Sequence, residues 1–162
     1  LTARLARLAQ QLGWTVVLVG EHPDYTRALP ELKVLRDQPR DVGPIGGLGA
    51  LAGQREQGSF VALACDMPAL DLELLRRLAE TATDSEAVAA RSADGKHWEP
   101  LCARYQARAT RRAIQDCLRE GRRSLQAVLA RLQVHALPLE AHERPLLVDW
   151  DTPEDVKGEG RR

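Results

Sequence analysis

The chain has 162 residues, 44% apolar and 28% charged, which suits one domain burying roughly 70% of its unfolded surface. Its 23 basic and 23 acidic residues cancel, so no bulk charge exists to hold a nucleic acid or an acidic membrane. The longest apolar stretches, such as Phe60 to Cys65, fall far short of the roughly 20 residues that a membrane-spanning helix needs.

Leu1, Leu5, Leu8 and Leu12 recur at helical spacing with Arg4, Arg7, Gln10 and Gln11 between them, so the chain opens inside an amphipathic helix that Gly13 stops. Met67 is the only methionine and Leu1 already lies within the periodic pattern, so a segment is expected ahead of it. Thr15 to Val19 reads as a short strand ending at Gly20. Residues 21–30, with Pro23 and Pro30, read as a loop carrying one turn of helix, and Leu32 to Leu35 as a second strand. The string Gly43-Pro44-Ile45-Gly46-Gly47-Leu48-Gly49 reads as a loop running into a helix through Ala50 to Ala52. Phe60 to Cys65 has the form of a central parallel strand covered on both faces.

Asp71 caps a predicted helix with Leu72, Leu75, Leu78 and Ala82 on its apolar face, and Glu86 to Arg91 follows as a strand. Leu101 to Tyr105 is the next strand, then helices over residues 108–119 and 124–132 split by Gly121, then strands over 134–139 and 146–150. Strands alternating with helices predict a three-layer α/β fold with a mainly parallel sheet. The pattern makes residues 1–157 one domain and 158–162 a disordered tail.

In an open α/β sheet, ligands bind beyond the carboxyl ends of the strands, so the residues following each strand are the first site candidates. Asp66, in Cys65-Asp66-Met67-Pro68, can hold Mg²⁺ against a triphosphate, because hard cations share phosphate oxygens with one or two carboxylates; it can equally begin a turn that Pro68 stiffens. Asp37, after the second strand, can accept from a base or sugar or lie in a solvated charged loop. The glycine string offers bare amides at a helix N-terminus, or a tight turn with close helix packing; it matches neither GxGxxG nor GxxxxGK[ST]. Asp149 and Asp151 precede a strong helix start at Thr152-Pro153-Glu154-Asp155 and are free for metal or substrate.

Other chemistries lack their signatures. His22, His97, His135 and His142 show no HxxxH or HExxH spacing, and no GxSxG frames a serine. Cys65, Cys102 and Cys117 form an odd set without CxxC spacing, which argues against disulfides and thiolate zinc and makes a reducing cytoplasm the expected compartment. No secretory signal pattern opens the chain.

Taken in order, Val34-Leu35-Arg36-Asp37, Gly43-Pro44-Ile45-Gly46-Gly47, Ala64-Cys65-Asp66-Met67-Pro68, Glu99-Pro100-Leu101 and Asp151-Thr152-Pro153-Glu154-Asp155 resemble the molybdenum cofactor guanylyltransferase family. The resemblance implies a Rossmann-like nucleotidyltransferase that joins GMP from GTP to molybdopterin and releases pyrophosphate with Mg²⁺. It implies Asp66 as catalytic metal ligand, Asp37 on the guanosine, and Gly43, Pro44, Gly46 and Gly47 along the nucleotide and pterin side. Pro100 falls in the segment facing the pterin, and a molybdoenzyme or its chaperone is an implied partner. The family's opening glycine-rich loop with its lysine has no match here, so it is expected ahead of Leu1, and residues 1–162 alone are expected to fold without transferring a nucleotide. Val19 stands where the family often has Asn, and Asp149 and Asp151 where it often has Asn-x-Asn. The alternatives are the related cytidylyltransferase and a non-catalytic carrier in molybdoenzyme maturation.

Overall fold

A computed structural model describes residues 1–20, 23–92 and 95–147. The first helix, α1 (Thr2–Gln11), buries Leu5, Ala6 and Ala9 and ends at Gly13, whose φ of 75° only glycine adopts without strain. Strand β1 (Val17–Val19) follows, then the short α2 (Pro23–Ala28), then β2 (Lys33–Leu35) pairing in parallel with β1.

Helix α3 (Pro44–Ala52) begins six residues ahead of the predicted entry at Ala50; Pro44 supplies the preset φ of a first turn, and Gly46, Gly47 and Gly49 lie inside the helix. The expected glycine loop is therefore a helix. These glycines cost helix propensity but let α3 press onto the chain after β2, where ordinary side chains would collide.

Strand β3 (Ser59–Leu63) leads to α4 (Leu72–Glu80), capped as predicted by the Asp71 side chain, which accepts from Leu74 N–H at 2.9 Å. Leu74, Leu75 and Leu78 are fully buried, each worth about 1.5–3 kcal/mol of transfer free energy. Strand β4 (Ala87–Arg91) and β5 (Trp98–Gln106) follow, then α5 (Ala107–Arg119), α6 (Leu125–Leu129), β6 (Val134–Ala136) and a 3₁₀ turn over Arg144–Leu147. That turn replaces the beginning of the strand predicted over 146–150; the remainder lies outside the described residues.

The mainly parallel sheet needs correction. Four strands stand in the order β3-β5-β4-β6, with β5 antiparallel to both neighbours and β6 parallel to β4, while β1 and β2 form a separate pair. The six residues between β4 and β5 are too few for a parallel crossover, which takes a dozen or more, so β5 must turn back. Gly95, at φ 70°, and the Ser92 backbone, accepting from Gly95 N–H at 2.8 Å, shape that return. Consequently β3 is no central parallel strand: its sheet partner is β5, and its other side is unpaired among the described residues.

Alternation along the strands builds two cores. Ala62, Ala87, Ala89, Ala103 and Tyr105 face Ile45 and Leu48 of α3, Ile114 of α5 and Val128 of α6. Val88 and Cys102 face Leu5 of α1, Leu74 and Leu78 of α4, and Met67. Helices thus cover both faces of the four-stranded sheet. No described helix is long and apolar enough to cross a membrane.

Candidate active site at the strand ends

Because β5 alone runs backward, its amino end lies beside the carboxyl ends of β3 and β4. Ala64 N–H donates to Leu101 O at 2.8 Å, which sets the Pro100-Leu101 segment next to the Cys65-Asp66 turn. The Tyr105 hydroxyl donates to Pro100 O at 2.8 Å and fixes that segment from beneath; burial raises the Tyr105 pKa, so it stays a neutral donor. Asp66 and Pro100, predicted to share a site, do lie at one end of the sheet.

Asp66 is half-buried, and its Oδ1 is shielded from solvent without a hydrogen-bond partner. An orphaned carboxylate oxygen is costly, and a hard cation satisfies it. Next to it Met67 is 2% exposed and Leu70 is fully buried, so the turn after Asp66 is pinned into the core and the carboxylate is held in place. Among the described residues no group of three or more His, Cys, Asp or Glu assembles around a point. The donor set therefore fits Mg²⁺ held by one carboxylate together with water and phosphate oxygens, which is how Mg²⁺ usually binds, and does not fit an all-protein cage.

A second group forms where α3 meets the ends of β1 and β2. Gly46 O accepts from Gln38 N–H at 2.9 Å, tying the helix to the Asp37-Gln38 turn. A Cβ on Gly46 would stand 3.1 Å from Asp37 Cβ, and one on Gly47 2.9 Å from Val19 Cγ1 and 3.5 Å from Asp37 Oδ1. Asp37, Gly46, Gly47 and Val19 are thus neighbours, and close packing is the glycines' demonstrable role. Gly43, at φ 74°, starts α3 immediately before Pro44. The helix start expected to offer amides therefore lies at Gly43 and the first turn of α3 rather than near Ala50; Pro44 has no N–H, and the Gly46 N–H donates to Gly43 O at 2.9 Å.

Tyr25 joins the two groups. It follows β1 on α2, and its hydroxyl lies 3.7 Å from Cys65 Sγ after β3. That contact with Cys65 is the main cause of its raised pKa, so Tyr25 presents a neutral phenol at the rim. Tyr25 is 40% exposed, Val19 39% and Leu101 36%, an apolar trio around the site that sequence reasoning did not single out. An aromatic residue in the loop after a strand was the available signal. Asp149 and Asp151, with the helix start at Thr152 to Asp155 and the tail over 158–162, lie outside the described residues.

Arg104 was also missed, because arginines read as solvent-facing. It is 3% exposed in β5 and donates to the carbonyls of Thr81, Ala82 and Thr83 at 3.1, 2.6 and 3.5 Å. Burial lowers its pKa, yet the three carbonyls suit a cation and fix the exit of α4. Its place in the Leu101 to Tyr105 alternation, on the face that also carries Cys102, was the signal for burial.

Residues 1–136 match the MobA-like NTP transferase domain. A probable molybdenum cofactor guanylyltransferase of Synechococcus elongatus is 34% identical over 96% of this chain and 81% of its own length. A molybdenum cofactor guanylyltransferase of Pseudomonas fluorescens is 29% identical over 95% of this chain and 76% of its own. Among solved structures, molybdopterin-guanine dinucleotide biosynthesis protein A of Archaeoglobus fulgidus superposes with a TM-score of 0.73 at 24% identity, over 94% of this chain and 81% of that one. A cytidylyltransferase for 2-C-methyl-D-erythritol 4-phosphate from Thermus thermophilus reaches 0.64 at 14% identity, over 94% and 85%. Both share the α/β nucleotidyltransferase fold with this chain.

Proposed function

This chain belongs to the MobA-like NTP transferase family and, within it, to the molybdenum cofactor guanylyltransferases, and we propose that it transfers GMP from GTP to molybdopterin. The observation that carries the reading is the orphaned Oδ1 of Asp66 at the sheet end where Tyr25, Cys65 and Pro100-Leu101 converge. In the reaction an oxygen of the molybdopterin phosphate bonds to the α-phosphorus as its bond to pyrophosphate breaks, and pyrophosphate departs with the electron pair. Such a transfer asks the protein mainly for alignment and for charge neutralisation. Bound Mg²⁺ would supply the neutralisation, held on the protein side by Asp66.

The chain's own residues divide the remaining work. Asp37 accepts from the guanosine hydroxyls or base, with Gly46 and Gly47 leaving room for it and Val19 offering an apolar wall. Val19 has no side-chain donor or acceptor, so base selection leans on backbone groups, and one neutral hydrogen bond forgone there is worth about 0.5–1.5 kcal/mol. Gly43 and Pro44 border the nucleotide and pterin side, and Pro100, anchored by Tyr105, borders the pterin. Asp149 and Asp151 are proposed to contact metal or pterin. The guanylyltransferase names among the relatives support guanine over cytosine.

Titration of GTP into this chain with and without Mg²⁺ tests the reading; because residues 1–162 alone are expected not to transfer, dinucleotide formation with molybdopterin is assayed on a version carrying the family's glycine-rich, lysine-bearing loop ahead of Leu1. Asp66→Asn is expected to remove the Mg²⁺ dependence of binding and to abolish transfer, with an unchanged circular dichroism spectrum. Mg²⁺-dependent GTP binding that survives in Asp66→Asn would sink the assignment, and tighter binding of CTP than GTP would overturn the choice of base.

A further inference from the structure

The pairing of β4 with β5 breaks register near the carboxyl end of β4. Ala89 stands opposite Ala103 and Arg91 opposite Trp98, so a single β4 residue, Ala90, faces the run from Glu99 to Cys102. A bulge of this kind re-aims the side chains beside it and is common next to active sites. The bulged run holds the Pro100 segment already placed at the site: Leu101 O accepts from Ala64 N–H and Pro100 O from the Tyr105 hydroxyl, both at 2.8 Å.

Directly opposed residues share a face, so Arg91 and Trp98 stand side by side on the face that α3, α5 and α6 cover, where Trp98 packs against the core. The central carbon of the Arg91 guanidinium lies 3.5 Å from the centre of the Trp98 ring, a contact that only a guanidinium lying flat on the ring can make. Trp98 cannot swing away. The Gln126 side chain of α6 donates to Trp98 O at 2.7 Å and accepts from Trp98 N–H at 3.2 Å, and beyond the pair Ser92 Oγ accepts from His97 N–H at 3.0 Å. Arg91 is nevertheless exposed, and among the described residues it makes no ion pair. One plane of its guanidinium is taken by Trp98 and the other is open.

Strand register fixes where this platform stands. Ala62 and Ala89 both pair with Ala103, and β3 and β4 are each antiparallel to β5, so Arg91, two residues past Ala89, is level with Ala64, two residues past Ala62. Two strand spacings, about 10 Å in all, separate them across the sheet. Asp66 lies two residues beyond Ala64, and the bulge that carries Pro100 spans the floor between Asp66 and Arg91. Asp37 lies the other way: Tyr25 after β1 meets Cys65 after β3, while β5 occupies the opposite edge of β3, so Asp37, after β2, and Arg91 flank Asp66.

We infer that the Arg91–Trp98 pair is the stacking platform for the heterocycle of the acceptor, a pterin, with indole, guanidinium and pterin as successive layers. The inference rests on the proposed transfer to molybdopterin and adds the residue that seats its ring. Guanosine and acceptor must reach one α-phosphorus from different sides, and Asp37 is assigned to the guanosine. The acceptor phosphate belongs beside Asp66, and the fused rings that carry it extend across the Pro100 floor toward Arg91. Flat heterocycles stack on guanidinium planes as nucleic-acid bases do, and the guanidinium edge has further N–H groups for a ring carbonyl. The ammonium of a lysine has charge but no plane, so it cannot substitute.

The test titrates hydroxymethylpterin phosphate into the 162-residue chain and follows the anisotropy of the pterin's own fluorescence, with GTP and Mg²⁺ titrated separately. Wild type is expected to bind the pterin saturably. Arg91→Ala, at an exposed position, is expected to weaken that binding by on the order of tenfold, the loss that removal of one stacking partner brings, and to leave GTP binding unchanged. Arg91→Lys is expected to recover little of it. In the version that carries the loop ahead of Leu1, Arg91→Ala should raise the KM for molybdopterin and leave kcat and the KM for GTP near wild type. No saturable pterin binding by wild type, equal loss of pterin and GTP binding in Arg91→Ala, or full recovery by Arg91→Lys would each overturn the inference. Failure of the guanylyltransferase reading has a different signature: pterin binding that depends on Arg91, beside GTP binding that is indifferent to Mg²⁺ and Asp66.

Discussion

Replacing Gly46 by alanine sets two effects of opposite sign against each other. At an unobstructed helix position the change stabilises by about 1 kcal/mol, since glycine carries the larger backbone entropy loss. Here the new Cβ would stand 2.5 Å from Pro39 O, 3.1 Å from Asp37 Cβ and 3.2 Å from Val42 Cγ2, where ordinary contact begins at 3.4 Å. The worst of these is short by about 0.9 Å, and it involves backbone that Gly46 O itself tethers through the Gln38 N–H. Neither side can yield by rotating a side chain, so α3 or the 37–39 turn must move. Overpacking of this kind costs about 1–3 kcal/mol, so the net expectation is a loss of about 1 kcal/mol, at most about 2. Urea unfolding followed by circular dichroism should show a lower midpoint with an unchanged slope. Because Asp37 is among the atoms displaced, affinity for GTP should fall as well. A midpoint that rises by the amount expected of an open helix position would refute the packing account of the glycine string.

Arg104→Met removes the buried donor shared by the carbonyls of Thr81, Ala82 and Thr83, and it is expected to lower stability by about 2 kcal/mol in the same unfolding assay; no change or a gain would mean that water replaces the guanidinium there. Glu143 is 3% exposed and, although burial pushes its pKa up, the Glu140 N–H and the Arg77 guanidinium outweigh this and hold it below its ordinary value near 4.5. A depressed carboxylate stabilises fully above its unfolded pKa and loses that contribution as pH falls through the folded one. Wild type should therefore lose more stability than Glu143→Gln between about pH 6 and pH 3, and parallel pH profiles of the two unfolding midpoints would contradict this. Asp71→Ala should cost about 1 kcal/mol by removing the cap on Leu74 N–H, with Asp71→Ser recovering most of it, which thermal melts can check.

Several features of this protein were legible from local chemistry. The Leu1 to Leu12 spacing, the Asp71 cap and the apolar run after Gly58 found α1, α4 and β3, because periodicity and capping act over a few residues and need no partner. The placement of Asp66, Asp37 and Pro100 at strand ends was likewise visible, since a residue that follows a strand has its position set by that strand. What the residues in order could not decide was pairing. The direction of β5 depends on the short return from Arg91 to Trp98, and the glycine string, read as a loop, is helical from Pro44, its glycines required by the chain at 37–39, which packs closely enough to exclude a Cβ. The burial of Arg104 rests on carbonyls more than twenty residues away in sequence, and the meeting of Tyr25 with Cys65 on the ends of two strands that do not touch. A strand's own residues specify that it is extended, while the number of edges it satisfies is a property of the neighbours that the fold brings alongside.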